Sequence, residues 1–577
     1  MPDSTPVRVV RELTARDYNA ERDAVTLLAD EPDPIAAVER VVDAAPDDVL
    51  TLSADDVRDL LADASTETPS SGADADAAAS AAPPADAAPN ADRSSDTATA
   101  TSADPAAGAE AESVDADPSP DGPTGDATPS DGDAAPSPDT SPTDVSNGAD
   151  IGDDITTAVT SPTETTGGDA ARVGERDPPA PDIGNDVTGH STGTGEYGDF
   201  VTVFRDRYER LSKKLRGRVN HRPTDALDAM PGGSDAAIVG MVNDIRSTAS
   251  GHWLVELEDT NGTFPALIMK DRDWADVVDE LLLDEVVAIE GTLADDGGIL
   301  FADSVHFPDV PRTYNPSTAD RHVQAALVSD VHVGSQEFAG DRWDAFADWL
   351  HTEEAEAVEY LLVGGDMVEG VGVYPDQDEE LDIVDVYEQY EAFSERLKDV
   401  PGDMEIVMIP GNHDAVRLAE PQPGFDEELR DIMSAHDARI TGNPSTVTVE
   451  GVDVLMYHGV SLDEVIAEHG SDDVSYDAPH NAMAELLKKR HVAPQYGGRM
   501  RVAPEEKDYL VIDDVPDVFH TGHVHKLGVG EYRNVKLVNS GSWQEQTAFQ
   551  KSVNIDPDVG TAPVIDLDTL DITVRKF

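Results

Sequence analysis

The chain has 577 residues, enough for three or four domains, and sets 118 acidic against 40 basic residues for a formal charge of −78. Such a surface repels nucleic acid in dilute buffer, but at ~1 M salt the Debye length shrinks to about 3 Å, so the charge fits a salt-accumulating cytoplasm and excludes no nucleic-acid substrate. The absence of cysteine excludes disulfides and thiolate metal sites. No apolar run approaches the ~20 residues of a membrane span, and Met1-Pro-Asp-Ser4 opens without basic or apolar leader character, so a soluble cytoplasmic protein with no membrane partner is expected.

Residues 1–65 read as a small helical module. Apolar residues recur at helical spacing through Val25, Leu28, Ile35, Val38 and Val42, and Ser53-Ala-Asp-Asp is a helix start before Val57, Leu60 and Leu61. The apolar inventory is small, which favours docking on a partner over a free-standing domain. Residues 66–197 are dominated by Asp, Ala, Ser, Thr, Pro and Gly. Up to Glu196 this stretch holds no aromatic residue and no lysine, and Arg93, Arg172 and Arg176 are its permanent cations. A disordered, self-repelling acidic linker is expected there.

Residues 198–234 form a helix and connector whose Arg205, Arg207, Arg210, Lys213, Lys214, Arg216 and Arg218 make the densest basic patch of the chain. A solvated helix face and a phosphate-contacting face fit that pattern equally well. Residues 235–310 alternate short strands and turns: Ala237–Val242, Trp253–Leu257, Thr263–Met269, Glu285–Leu293 and Ile299–Ala302, with a helical insert from Trp274 to Leu283. Five strands with that insert predict a small OB-like β-barrel. Its few aromatic residues argue for a protein-docking surface rather than a base-stacking platform.

From residue 320 to 577 the pattern changes to short β-prone apolar runs, each halting at metal-binding side chains. Ala325–Val328 precedes Asp330 and His332; Tyr360–Val363 precedes Asp366; Ile406–Ile409 precedes Asn412, His413 and Asp414; Val454–Tyr457 precedes His458; and Asp517–Phe519 precedes His520-Thr-Gly-His523-Val-His525. Such runs predict buried strands, and ligands of α/β sheets gather beyond strand carboxyl ends. Singly these elements are weak. In this order, each at a strand end, they predict a metal crevice, since ionisable groups are rarely buried without partners.

The ordered set Asp330-x-His332, Gly365-Asp366, Gly411-Asn412-His413-Asp414, His458 and Gly522-His523-x-His525 resembles the calcineurin-like metallophosphoesterase superfamily over about 200 residues. The resemblance implies an α/β sandwich of mixed sheets flanked by helices, preceded here by the OB-like barrel and the tethered helical module. It implies two divalent cations, Mn2+ first among the candidates. Asp330, His332 and His525 would hold one; Asn412, His458 and His523 would hold the other; and Asp366 would bridge them. A mixed imidazole and carboxylate donor set suits Mn, Fe, Zn or Ni better than Mg or Ca. His413 is implied as a catalytic group at the phosphate, with Asp414 orienting its ring. Where the superfamily often has Gly-Asp-x-x-Asp, this chain has Gly365-Asp-Met-Val-Glu369, with a longer acidic side chain.

Further stretches narrow the resemblance. Gly370-Val-Gly-Val-Tyr-Pro375, Leu486-Leu-Lys-Lys-Arg-His491, Ala503-Pro-Glu-Glu-Lys-Asp508 and Asn539-Ser-Gly-Ser-Trp-Gln544, together with the preceding barrel, resemble the small subunits of archaeal family D DNA polymerases over roughly residues 198–577. That resemblance implies a 3′–5′ exonuclease acting in proofreading on single-stranded or mismatched DNA 3′ ends. It also implies a large catalytic subunit as partner and access to the replication clamp through the holoenzyme. A free-standing metallophosphoesterase and a structural subunit with a vestigial site are the alternatives.

Overall fold

The computed structural model describes residues 178–191, 193–374, 377–433, 438–498, 500–552 and 555–577, with separate elements between 9 and 58 and two short strands between 155 and 164. The chain divides into two compact units, Met1–Asp144 and Val145–Phe577. In the first, strand β1 (Asn19–Ala20) pairs in parallel with β2 (Thr51–Leu52), around helices α1 (Arg22–Ala29) and α2 (Pro34–Ala44). Its buried core is Val9, Ala24, Leu28, Ala37, Val38, Val41 and Val57. The helical periodicity is thus realised at Leu28 and Val38, while Leu60 and Leu61 lie outside the described residues.

The second unit begins with strands inside the stretch expected to be linker. These are β3 (Ile155–Thr156), β4 (Thr160–Glu164) and β5 (Asp182–Gly184). The expectation of an unbroken disordered linker to 197 is therefore corrected at its carboxyl end. Gly184, Ile183 and Asp182 pair antiparallel with Thr446, Val447 and Thr448. Val187 is fully buried, and Asp186 Oδ1 accepts hydrogen bonds from Gly442 N and Thr188 N. The order comes from backbone pairing along an open sheet edge, which needs little apolar composition.

Helix α3 (Tyr197–Arg216) opens with a reciprocal capping box between Glu196 and Asp199. Its apolar side, Tyr208, Leu211 and Leu215, packs on Val239, Val286 and Ala288 of the barrel that follows. The basic patch divides. Arg207 is wholly buried with its Nε 2.7 Å from Asp508 Oδ2, Arg210 pairs with Asp206 and Asp513, and Arg218 donates to the carbonyls of Phe307 and Pro308. Arg205 and Lys213 stay exposed. Part of the patch therefore serves as internal fastening, while Arg216 and Arg218 are exposed as well.

Five strands, β6 (Asp235–Ser247), β7 (Trp253–Asp259), β8 (Gly262–Ile268), β9 (Val286–Leu293) and β10 (Leu300–His306), close a barrel in the order β10-β8-β7-β6-β9. A 3-10 helix, Ala275–Glu280, lies between the third and fourth. Phe264, Ile238, Leu257 and Ile289 are among its core residues. The closure and the placed insert fit the OB-like expectation.

The remainder alternates strands and helices: β11 (Gln324–Val328), α4 (Gly340–Leu350), β12 (Val358–Val363), α5 (Val386–Leu397), β13 (Glu405–Met408), β14 (Arg439–Ile440), β15 (Ser445–Val449), β16 (Val452–Met456), α6 (Leu462–Glu468), α7 (Pro479–Lys489), β17 (Val518–Thr521), β18 (Leu527–Tyr532), β19 (Val535–Ser540), α8 (Ala548–Ser552), β20 (Thr561–Asp566) and β21 (Ile572–Lys576). They build two seven-stranded mixed sheets, β14-β13-β12-β11-β20-β21-β4 and β3-β18-β19-β17-β16-β15-β5. Strand alternation fixes which side chain meets which layer. Leu327, Tyr360, Leu362 and Val407 face the other sheet across a core shared with Val447, Val454, Met456 and Val518. Ala326, Val328, Leu361, Val363 and Met408 face outward onto Trp343 and Phe346 of α4 and Tyr390 and Phe393 of α5. Leu455, Phe519 and Leu537 of the second sheet meet Leu462 of α6 and Met483, Leu486 and Leu487 of α7. Burial on both faces explains why these strands read as continuous apolar runs.

One fastening between helix α3 and the sandwich titrates. His491 is buried, its Nε2–H donates to Asp508 Oδ2 at 3.0 Å and its Nδ1 accepts from Ala493 N at 3.0 Å, so the neutral ring is fully satisfied. Burial, reinforced by the Arg207 charge, lowers its pKa to about 4. The unfolded ring takes a proton near pH ~6.5. As pH falls from there to about 4, the unfolded chain binds a proton that the folded chain refuses, so stability drops across that window. The denaturant midpoint at constant salt should therefore fall more between pH 7 and 4.5 in wild type than in His491→Gln; equal falls would remove His491 from the acid response.

Candidate metal centre

Five strands deliver the site. β11, β12 and β13 run parallel in one sheet, and β16 and β17 run parallel in the other. Their carboxyl ends open on one crevice. Beyond β11, β12 and β17 the backbone bends sharply: Asp330 and His332 both have φ 54°, Asp366 52°, His523 70° and His525 55°. L-residues occupy this left-handed region at about 1–2 kcal/mol each, and such strain collects at functional sites. Backbone bonds hold the bends. Asp330 N–H donates to Gly365 O at 2.9 Å, His332 N–H to Asp366 O at 3.1 Å, and Trp543 N–H to Asp330 O at 2.9 Å. Glycine is required where the loops meet: a Cβ on Gly365 would stand 2.5 Å from His458 Nδ1, and one on Gly411 2.2 Å from Asp366 Oδ1.

The expected donors gather as two neighbouring clusters, Asp330 with His332 and His525, and Asp366 with His458 and His523; within each, the donor atoms lie within 4.8 Å of one another. In the first, His332 Nε2 lies 3.1 Å from His525 Nε2, and His525 Nε2 lies 3.4 Å from Asp330 Oδ1. In the second, His458 Nε2 lies 3.1 Å from both Asp366 Oδ2 and Asn412 Oδ1. Asp366 Oδ2 is also 3.8 Å from His332 Nε2, so one carboxylate reaches both clusters.

The tautomers suit a cation. His458 Nδ1–H donates to Gly364 O at 2.9 Å, so Nε2, which faces Asp366 and Asn412, is the nitrogen turned to the crevice. Two imidazole nitrogens facing each other at 3.1 Å, between buried carboxylates, likewise fit a positive charge between them. Burial pushes the Asp366 carboxyl towards neutrality, but the imidazoles of His458 and His413 hold its pKa well below the usual range. Burial lowers the His458 pKa, and the Asp366 and Asp330 carboxylates more than reverse this, to about 10. The residues present thus fit divalent cations with N and O donors.

His413 lines the same pocket, of about 150 Å3, without joining either cluster; it groups instead with His332 and Glu369. Its Nδ1–H donates to Glu369 O at 2.8 Å, leaving Nε2 available. The ring packs edge-on against His332 with centroids 4.8 Å apart. The expectation that Asp414 orients this ring is corrected: the Glu369 carbonyl does. Asp414 instead accepts from Gly411 N at 2.8 Å and Tyr390 Oη at 2.9 Å, tying the His413 loop to α5. Burial and the nearby Asp366 charge raise its pKa to about 6.

Two acidic groups of the site were outside the expected ligand set. Glu369 Oε2 stands 2.9 Å from His332 Nδ1, an ion-pair distance reached obliquely. It is steadied by Gln544 Nε2 at 2.6 Å and, through Oε1, by Tyr374 Oη at 3.1 Å. Burial opposes its charge, yet His332 lowers its pKa to about 2. Its longer side chain is what spans to the ring, and the Glu-for-Asp departure was the sequence signal for it. Asp463 Oδ2 lies 3.3 Å from His523 Nε2, and its spacing of five from His458 carried no comparable signal.

The second unit is an OB-like barrel joined to a mixed-sheet sandwich with a His/Asp/Asn donor cluster at its strand ends. The family model of the DNA polymerase alpha/epsilon B-subunits matches residues 325–527. The chain is 64% identical over 577 residues, all of both chains, to a DNA polymerase II small subunit of Halobacterium salinarum. It is 43% identical over 387 residues to that of Archaeoglobus fulgidus, covering 66% of this chain and 77% of the relative. To that of Pyrococcus furiosus it is 39% identical over 396 residues, 65% of this chain and 64% of the relative. The chain belongs to the DNA polymerase II small subunits, the small subunits of archaeal family D polymerase.

Removing the carboxylate behind a ligand should loosen metal without deleting a ligand. Glu369→Ala is expected to weaken Mn2+ binding about 10–100-fold while all seven donors remain. A direct Mn2+ titration of wild type and variant checks this, and equal affinities would show that Glu369 does not support His332.

Proposed function

We propose that this chain is the nuclease-bearing small subunit of a heteromeric DNA polymerase, hydrolysing phosphodiester bonds at DNA 3′ ends in proofreading, with polymerisation in a large partner subunit. What supports this most is Asp366 reaching both donor clusters while His413 stands beside them with a free Nε2. Membership among polymerase small subunits speaks against a free-standing phosphoesterase. The complete donor set, five of its seven members held at positive φ, speaks against a vestigial site.

Asp330, His332 and His525 would hold one cation and Asn412, His458 and His523 the other, with Asp366 shared. Two such cations supply charge neutralisation of the scissile phosphate and an acidified water. The protein's own groups do the rest. Removal of one nucleotide breaks the bond from phosphorus to the 3′ oxygen of the shortened strand, and that oxygen must gain a proton. Protonated His413, held at Nδ1 by the Glu369 carbonyl, presents Nε2–H to the pocket and can deliver that proton. Asp330 and Asp366 are fixed by the backbone N–H groups of His523 (3.0 Å) and His413 (2.8 Å), so the donors need not reorganise when substrate arrives.

Two variants test the reading in the assembled complex. Asp366→Ala should lose both ions and all Mn2+-dependent excision. His413→Ala should keep both ions and normal DNA synthesis but excise a mismatched 3′ terminus about 10²–10⁴-fold more slowly, the usual worth of a positioned acid. Ion content and excision measured on one preparation decide: lost metal makes His413 a ligand, undiminished excision removes it from the mechanism, and a wild-type complex without excision leaves a structural subunit.

A further inference from the structure

At the rim of the metal pocket two rings lie one on the other. Tyr374 and Phe549 are stacked with centroids 5.6 Å apart and planes 24° apart. Tyr374 also meets the His413 ring at 6.3 Å. Phe549, on the short helix α8, is 51% exposed, which is unusual for a phenylalanine packed beside a buried ionic site. Tyr374 is not free to swing, because its hydroxyl bridges Glu369 Oε1 at 3.1 Å and Glu380 Oε2 at 3.2 Å. The platform is therefore rigid on its inner ring and open on its outer one.

Among the described residues, no lysine or arginine lines this pocket, whose rim carries the aromatic pair. A DNA end entering it finds no described lysine or arginine for its phosphates. In a chain of charge −78 such contacts would in any case be the part of binding that salt removes. Base stacking on an aromatic ring is sequence-tolerant and does not depend on counterion release. A base can reach such a ring only when it is unpaired and out of its own stack, the condition of a frayed or mismatched terminus.

We propose that Tyr374 and Phe549 form the seat of the 3′-terminal base, so that the pair selects unpaired DNA ends and places the terminal phosphodiester beside His413. The inference rests on the nuclease reading above and names the substrate feature that the site recognises. The exposed outer face of Phe549 takes the base, and Tyr374 supports the ring from behind while its hydroxyl stays on Glu369.

The test uses the assembled complex with Mn2+ and two single-stranded oligonucleotides that differ only at the 3′ end, one bearing thymine and one an abasic deoxyribose. Wild type should prefer the base-bearing end in kcat/KM by about 5- to 100-fold, the worth of one stacked base. Phe549→Ala should bring that ratio near one, and Phe549→Trp should preserve or raise it. Because the readout is a ratio, a partly misfolded variant still reports. Wild type without the preference, or Phe549→Ala that keeps it, overturns the proposal while excision itself stands. If Phe549→Ala keeps the ratio but sheds the large subunit, the rim is a subunit contact instead. Wild type that cleaves neither end removes the nuclease reading, and this inference with it.

Discussion

Asp330 and Asp366 are both buried, and each brings an oxygen within 4 Å of the same His332 nitrogen, at 3.9 and 3.8 Å. Two carboxylates so placed are costly in a low-dielectric interior unless positive charge meets them. Much of the surrounding structure answers that demand. Four imidazoles from both sheets converge on the pair. The loops that bring them accept left-handed backbone at five non-glycine positions, and glycines stand where a Cβ would strike a donor. The bends persist because the strands that lead into them are anchored in apolar cores on both faces. Leu327, Leu362, Val407 and Met456 anchor the very strands whose ends carry the donors. Packing energy in the sandwich thus supports strain at its rim.

What was legible beforehand follows from this arrangement. A strand buried on both faces must be apolar throughout, so each strand announced itself, and the abrupt change to Asp, Asn or His marked its end. The barrel was legible from its turns for the same reason. Features set by side-chain reach were not. Asp414 follows His413 in sequence, but the loop turns its carboxylate towards Gly411 and Tyr390, while a backbone carbonyl from the Glu369 loop meets the ring. The basic residues of α3 looked like a surface feature because charge suggests water. Arg207 instead finds Asp508, 301 positions away, and both are buried. Residues 178–191 hold too few apolar side chains to betray them, since they are ordered by the open edge of β15 and by polar capping.

Acidity belongs to the surface and says little about the interior, where ions are paired. Beside the barrel, Lys489 Nζ stands 3.1 Å from Glu285 Oε2 and 3.4 Å from Glu485 Oε2, and Lys488 Nζ is 3.6 Å from Glu485 Oε1. The buried Lys489–Glu285 pair joins α7 to the segment before β9. Screening by salt acts on exposed charges and hardly reaches such pairs. The chain can therefore be strongly self-repelling outside while its barrel and sandwich stay fastened.

Glu369 ties these themes together. Its Oε2 supports His332, its Oε1 accepts the Tyr374 hydroxyl, and its backbone carbonyl sets the His413 ring. Gln544, one residue beyond Trp543, donates to the same carboxylate. One side chain and its carbonyl therefore link the His332 imidazole, the His413 ring and the aromatic rim.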